Sequence, residues 1–379
     1  MPNRHGNNQA GLYIHIPFCL SKCGYCSFYS LALTRLMPDF VEALIGEMAF
    51  YKTVFPSFDT IYIGGGTPSL LSIRQVDKIL TAVHRHFSIA RSAEMTMEVN
   101  PGDISLEYLQ LLRRLGINRL NIGIQSFDDQ VLKFLGRRHT AKEALFAFDA
   151  ARRAGFDNIG IDLIYGAAGH HITSWKQTIK EALSFLPEHL SCYQLSLDRD
   201  TPLYQQYHKD GLQLPPENEA LDFFMTTSQL LTDAGYLHYE VSNFTRGDSL
   251  KSRHNMKYWQ HSPYLGLGPA AHSFLDDRRW WNKADVQAYL SDISEGKKPL
   301  DKSETLVLEQ LALEALFLGM RTKNGINLKQ FKARYGSDLL IEKRPVIDEL
   351  IKHKLLELNG DSLCPTLAGM AVADSLALI

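Results

Sequence analysis

Strand-like and helix-like segments alternate through the first two-thirds of this 379-residue chain, and that alternation restricts the fold more than any other feature. β-rich runs fall at Tyr13–Ile16, Thr60–Ile63, Met95–Val99, Arg119–Gln125, Asn158–Ile164 and Leu190–Leu197. Between them, apolar residues take helical spacing over Asp39–Thr53, Ile73–Phe87, Leu106–Leu115, Lys142–Ala154 and Ser174–Leu186. Gly116 and Gly155 stand where a helix C-cap favours a left-handed backbone. Strands alternating with helices at this rhythm make βα units and a parallel sheet. Six such units predict an α/β fold with a partial (β/α)6, TIM-like barrel. In such a barrel, site residues gather at the C-terminal ends of the strands.

The rest of the chain reads differently. Pro215-Pro216 opens a long helix over Glu217–Ala234, and Leu237–Val241 reads as a further strand. Ser242 to Trp281 is rich in aromatic, His and Gly residues and has weak periodicity, the mark of an ordered loop region close to function. From about Asp301 the spacing predicts helices over Ser303–Arg321, Leu328–Tyr335 and Pro345–His353. A short run at Leu355–Leu358, a hairpin holding Cys364, and a last helix over Thr366–Ala377 follow. This order resembles a winged-helix layout. The expected division is a barrel over 1–240, a linker and loop region over 241–300, and a winged-helix-like domain over 301–379.

A chain that is 45% hydrophobic and 22% charged is too apolar to be disordered. Lys+Arg 40 against Asp+Glu 42 leaves a formal net charge of −2. Residues 301–379 carry 10 basic and 11 acidic residues, so the winged-helix-like end lacks the positive footprint of a nucleic-acid binder. Met1 to Ala10 is polar, with no secretory signal. The apolar run Leu311–Met320 holds Glu314 and is too short to span a bilayer. A cytoplasmic protein is expected, with peripheral membrane contact and dimerisation left open.

The strongest chemical signal is Cys19-x-x-x-Cys23-x-x-Cys26, directly after the first strand. Three thiolates on one loop can ligate three irons of a cubane cluster and leave the fourth iron to an exchangeable ligand. Zinc or chance clustering is the competing reading. Zinc would want a fourth Cys or His at suitable spacing. His15 is embedded in a strand, and Cys192 and Cys364 are remote and read as small core residues. The second signal is Gly64-Gly65-Gly66-Thr67-Pro68 at the end of the second strand, where glycines let backbone approach a ligand. No Lys-Ser/Thr follows, so this is not a P-loop.

With these two motifs and Tyr25 before the last cysteine, the sequence resembles the radical S-adenosylmethionine (SAM) family. The resemblance implies that the open iron chelates the amino and carboxylate groups of SAM, and that one electron from a [4Fe–4S] cluster cleaves a carbon–sulfur bond to give a deoxyadenosyl radical. A closer resemblance is to the oxygen-independent coproporphyrinogen III oxidase group. It rests on Tyr13-Ile14-His15-Ile16-Pro17-Phe18-Cys19, the GGGTP loop, Glu98-Val99-Asn100-Pro101, Gly123-Ile124-Gln125-Ser126-Phe127 and Gly160-Ile161-Asp162-Leu163-Ile164-Tyr165-Gly166. It implies that Tyr13, Gly65 and Glu98 contact the cluster-bound SAM, and that Tyr25, Gly66, Thr67, Gln125, Arg137 and Asp162 match positions that hold a second molecule in the oxidase. Arg137 and Asp162 also suit a structural ion pair.

Two departures point to a subgroup. The oxidase pattern continues Cys-x-Cys after the third cysteine, and here Phe28 takes that slot. The oxidase carries a longer N-terminal segment, and here the first cluster cysteine is already residue 19. Both features resemble the oxidase-like heme chaperones. So does Arg253-His254-Asn255-Met256-Lys257-Tyr258-Trp259, with the His-Asn-x-x-Tyr-Trp mark of that subgroup. Neutral imidazole is a good heme-iron ligand, which makes His254 the expected axial ligand, ahead of His261 and His272. A packed, hydrogen-bonded histidine is the alternative. Trp280-Trp281 reads as packing between domains or as an apolar edge for a porphyrin. The resemblance implies a chaperone that binds a [4Fe–4S] cluster, SAM and heme and passes heme to a hemoprotein of a respiratory chain. The rival is a true enzyme, a coproporphyrinogen III dehydrogenase or another radical SAM enzyme acting on a porphyrin.

Overall fold

The computed structural model describes residues 9–209 and 211–376, without the side chains of 217 and 218. Residues 1–8 of the polar start and the last position of the helix expected over 366–377 lie outside them. Six parallel strands follow one another in chain order: β1 (Ala10–Ile16), β2 (Ser57–Gly65), β3 (Ser88–Val99), β4 (Arg119–Gln125), β5 (Ile159–Tyr165) and β6 (His189–Gln194). Each covers most of its expected run; β3 begins seven residues earlier than expected and β6 ends three residues earlier. Their central residues are buried on both faces, as a sheet covered by crossover helices requires. Two of those helices start on reciprocal caps, Ser72 with Gln75 and Thr140 with Glu143. Gly116 and Gly155 follow their helices at φ 98° and 88°, in the left-handed conformation expected of them.

The arc does not close on itself. The sheet continues at both ends through β7 (Leu237–Glu240), β8 (Asn243–Thr245), β9 (Tyr264–Leu267), β10 (His272–Leu275), β11 (Arg278–Asn282) and β12 (Leu300–Thr305). The twelve strands run β12-β11-β10-β9-β1-β2-β3-β4-β5-β6-β8-β7. β9 pairs parallel with β1, and β10 to β12 extend it as an antiparallel arm. Residues 241–300, expected as linker and loops, therefore hold four strands and the helices Arg253–Trp259 and Val286–Ser294. Strands of three to five residues are too short to show an alternation. Likewise the helix expected from Ser303 begins only at Leu308. β12 precedes it, exposed along its whole length and so without an apolar period.

Glu47 ties the arm to the barrel. From the helix Met37–Met48 its fully buried carboxylate accepts hydrogen bonds from Gly268 N–H (2.8 Å), Asn282 (2.6 Å) and the Tyr289 hydroxyl (2.7 Å). Trp280 packs between Tyr51 and Phe55 on the same side of the arm. The other side meets the C-terminal region, whose core joins Phe274 to Leu311, Leu316, Phe331, Ile347 and Leu363. There β13 (Ile326–Asn327), β14 (Leu356–Asn359) and β15 (Ser362–Pro365) form a small antiparallel sheet among helices. The last helix is broken into Leu367–Ala371 and Ala373–Leu376.

Candidate SAM and iron–sulfur site

The cysteine loop leaves β1 through a stem that the glycine motif clasps. Cys19 N–H donates to the Leu31 carbonyl (3.0 Å) and Leu31 N–H to the Pro17 carbonyl (2.8 Å), which zips the loop's two ends together. From the end of β2, Gly66 N–H donates to the Ile16 carbonyl (2.8 Å) and Thr67 N–H to the Phe18 carbonyl (2.7 Å). A Cβ on Gly66 would lie 2.6 Å from the Phe18 carbonyl oxygen and 2.9 Å from that of Ile16, so only glycine allows this approach. Cys19, Cys23 and Cys26 are all free thiols and half-buried. The Thr67 hydroxyl donates to Cys19 Sγ (3.3 Å) and the Arg137 guanidinium to Cys23 Sγ (3.5 Å). Burial pushes the Cys26 thiol up.

Among the described residues no three Cys, His, Asp or Glu side chains converge on a single metal ion. A cubane needs no such point of convergence, since each thiolate takes its own iron. Sulfur-directed donors from Thr67 and Arg137 are the partners that thiolate ligands of a cluster need. The three cysteines therefore fit the cluster.

Above the strand ends lies a cavity of about 420 Å³. Tyr25, Cys26, Gly65, Gly66, Thr67, Glu98, Gln125, Arg137 and Asp162 all line it. The side chain of Glu98 accepts from the Tyr62 hydroxyl (2.8 Å) and from Gly65 N–H (3.2 Å). Burial raises its pKa to about 7, against those two donors and the Arg119 charge. Gly65 sits at φ 110° and Gln125 at φ 68°, a left-handed backbone that a non-glycine residue adopts only where its surroundings enforce it. Arg137 donates to Asn100 Oδ1 (2.5 Å) and the Gly123 carbonyl (2.9 Å). Asn121 donates to Asp162 Oδ2 (2.5 Å), and burial raises the Asp162 carboxyl. Arg137 Nε and Asn121 Oδ1 are buried without a hydrogen-bond partner, which a polar ligand would supply. Val99, Ile164 and Leu195 add apolar wall. A small number of polar groups set in such a wall is the make-up of a cofactor pocket.

Tyr62, Asn121 and Tyr193 also line the cavity and were not singled out from sequence. Their signal was the period of two. Glu98 is paired in register with Asn121, and from Asn121 the alternate residues Gly123 and Gln125 share its face.

Two expected residues lie elsewhere. Tyr13 is not on the cavity wall. It stands beside Tyr62, its register partner on the neighbouring strand (ring centroids 6.2 Å apart), with its hydroxyl 3.1 Å from His15 Nδ1. His254 lies under the barrel, on the helix Arg253–Trp259, whose first N–H groups donate to Glu94. It is 1% exposed. Nδ1 is 2.9 Å from the Thr60 hydroxyl and Nε2 is 2.8 Å from the Tyr258 hydroxyl. Burial lowers its pKa to about 3. Both ring nitrogens have hydroxyl partners, the arrangement of a packed, hydrogen-bonded histidine rather than the open nitrogen that an iron ligand offers.

The six-stranded parallel arc with a three-cysteine loop after its first strand defines a radical SAM protein. The profile of the Radical SAM superfamily matches residues 13–182, and that of the HemN C-terminal domain matches residues 306–372. Heme chaperone HemW of Bacillus subtilis is 35% identical over 331 residues, 86% of this chain and 87% of that protein. Heme chaperone HemW of Mycobacterium tuberculosis is 32% identical over 371 residues, 96% of this chain and 93% of that protein. The mouse mitochondrial radical S-adenosyl methionine domain-containing protein 1 is 32% identical, covering 98% of this chain and 87% of its own. Coproporphyrinogen III oxidase (HemN) of Escherichia coli shares the fold, with a TM-score of 0.86 at 23% identity over 99% of this chain and 90% of that one. The chain belongs to the HemW family of radical SAM proteins. No helix among its described residues is long and apolar enough to cross a membrane.

Proposed function

We propose that the protein is a heme chaperone: it holds a [4Fe–4S] cluster and SAM in the barrel, binds heme, and delivers it to a hemoprotein of a respiratory chain without oxidising coproporphyrinogen III. The observation that carries this reading is Phe28. It occupies the slot of a further cysteine in the oxidase pattern, lies at the wall of the cavity and is 64% exposed. A phenyl ring there can neither ligate a metal nor take part in proton or electron transfer. The HemW relatives that cover most of the chain support the same reading.

Cys19, Cys23 and Cys26 would hold the cluster, which when bound supplies single electrons to SAM. Thr67 and Arg137 direct hydrogen bonds at two of the sulfurs. Hydrogen bonds of this kind tune a cluster's potential. Glu98, held by Tyr62 and Gly65, offers an acceptor to an ammonium group. Gln125, Arg137 and Asp162 form the opposite polar wall.

The test is anaerobic incubation of the cluster-reconstituted protein with coproporphyrinogen III, SAM and a reductant, with heme titration of the same sample. Stoichiometric heme uptake without a porphyrin product is expected. Protoporphyrinogen formed over many turnovers overturns the reading in favour of an oxidase.

A further inference from the structure

A second cavity, of about 540 Å³, opens between the antiparallel arm and the helix Leu308–Gly319, away from the cysteine loop. Register fixes its floor. His272 pairs with Trp281 and Trp281 with Lys302, and Phe274 pairs with both Tyr264 and Arg279. Residues directly opposite one another in a sheet share a face, and so do residues two apart on one strand. His272, Phe274, Trp281 and Lys302 therefore stand on the same side of the arm. The roof is apolar. Leu313 and Phe317, one helical turn apart, face the cavity and remain 50% and 38% exposed.

Three histidines lie in this part of the chain, and they differ in what their nitrogens do. Those of His254 are both hydrogen-bonded beneath the barrel. Those of His261 face the Tyr335 hydroxyl (3.2 Å) and the Glu314 carboxylate (3.3 Å). His272 is exposed and stacks on Trp281 (5.3 Å, 21° between planes), and its imidazole makes no hydrogen bond among the described residues. Lys302, opposite Trp281 and so one strand further out on the same face, is exposed and has no ion pair among the described residues.

We infer that this cleft is the heme site, with His272 as the axial ligand, Phe274, Leu313 and Phe317 against the macrocycle and Lys302 placed to meet a propionate. The inference rests on the heme-chaperone reading. A solvent-reachable imidazole beside an apolar slot and a cation at its edge is what an iron porphyrin with two carboxylates requires. The barrel cavity offers no histidine among its lining residues.

The test titrates hemin into the full-length, cluster-reconstituted protein and into the variants His272→Ala and Leu313→Glu. Both changed side chains are exposed, and iron and sulfide content verifies that each variant has folded and loaded its cluster. In wild type, a Soret band of imidazole-ligated heme and quenching of tryptophan fluorescence are expected. In His272→Ala the affinity should fall roughly tenfold or more, a loss of about 1.4 kcal/mol or more. The imidazole-type Soret band should disappear, and free imidazole should restore it. Leu313→Glu should weaken binding and leave the band shape intact. Wild-type binding with unchanged affinity and spectrum in both variants overturns this site and leaves the chaperone reading standing. A wild-type protein that takes up no stoichiometric heme overturns both.

Discussion

The Thr60 hydroxyl and Nδ1 of His254, 194 positions apart in sequence, meet at 2.9 Å under the floor of the barrel. The His254 ring lies 5.2 Å from that of Tyr62, whose hydroxyl donates to Glu98 on the cavity side. The His-Asn-x-x-Tyr-Trp segment thus supports the barrel cavity from below. Replacing His254 by Ala should cost about 2–4 kcal/mol of stability, through a cavity and two orphaned hydroxyls. Heme affinity of the folded fraction should stay at the wild-type value. Denaturant melts and hemin titration check both halves.

Replacing Cys23 by Ser should abolish the cluster. A serine hydroxyl is a poor iron ligand, and the Arg137 contact would lose its sulfur. Iron and acid-labile sulfide should fall from about four of each per chain to near zero. The far-ultraviolet circular dichroism should stay unchanged.

Gly66→Ala tests the clasp between the glycine motif and the cysteine loop. The added Cβ would meet two backbone carbonyl oxygens, at 2.6 and 2.9 Å, and neither is a flexible side-chain end that can turn away. Overpacking of this kind costs about 1–3 kcal/mol. Faster cluster loss in a chelator challenge is expected, alongside a lower melting temperature.

Glu98→Gln keeps the size of the side chain and removes its charge. Losing a charged hydrogen bond of about 1.5–3 kcal/mol should weaken SAM binding roughly tenfold to a hundredfold. The wild-type carboxyl has its pKa raised to about 7, so wild-type affinity should fall as pH drops below that value. Binding by the Gln variant should stay flat. Calorimetric titration at several pH values distinguishes the two.

Glu47 gives a stability signature of definite sign. Burial raises its pKa to about 7 in the folded chain, from an ordinary value of 4.5. Between those values the folded state holds the proton and the unfolded state does not, so Glu47's contribution falls as pH rises through this window. Compared with Glu47→Gln, the wild-type melting temperature should decline from pH 4.5 to 7 and then level off. Parallel curves for the two proteins would show that the carboxyl titrates normally.

The barrel was legible because its six strands have buried centres and alternate with amphipathic helices, so pattern and burial agree. Thr67, Glu98, Gln125 and Asp162 came from the family resemblance rather than from periodicity, and all four line the cavity. The arm could not be read. β9 to β12 are short, and β12 is exposed throughout, so neither length nor alternation marks them. His254 shows a different limit. Its sequence neighbours do not reveal that Thr60 and Tyr258 occupy both ring nitrogens, because the first of these partners comes from β2.

β1 carries the cysteine loop and is paired on one edge with β2 and on the other with β9. During synthesis these partners arrive at very different times. β2 emerges soon after β1, but Tyr264–Leu267 is made only after about 250 more residues, roughly ten seconds to most of a minute at about 5–20 residues per second. For that interval the cluster-bearing strand has a bare edge open to mispairing or to an assisting partner. The nascent barrel is sealed at that edge only when two-thirds of the chain has left the ribosome.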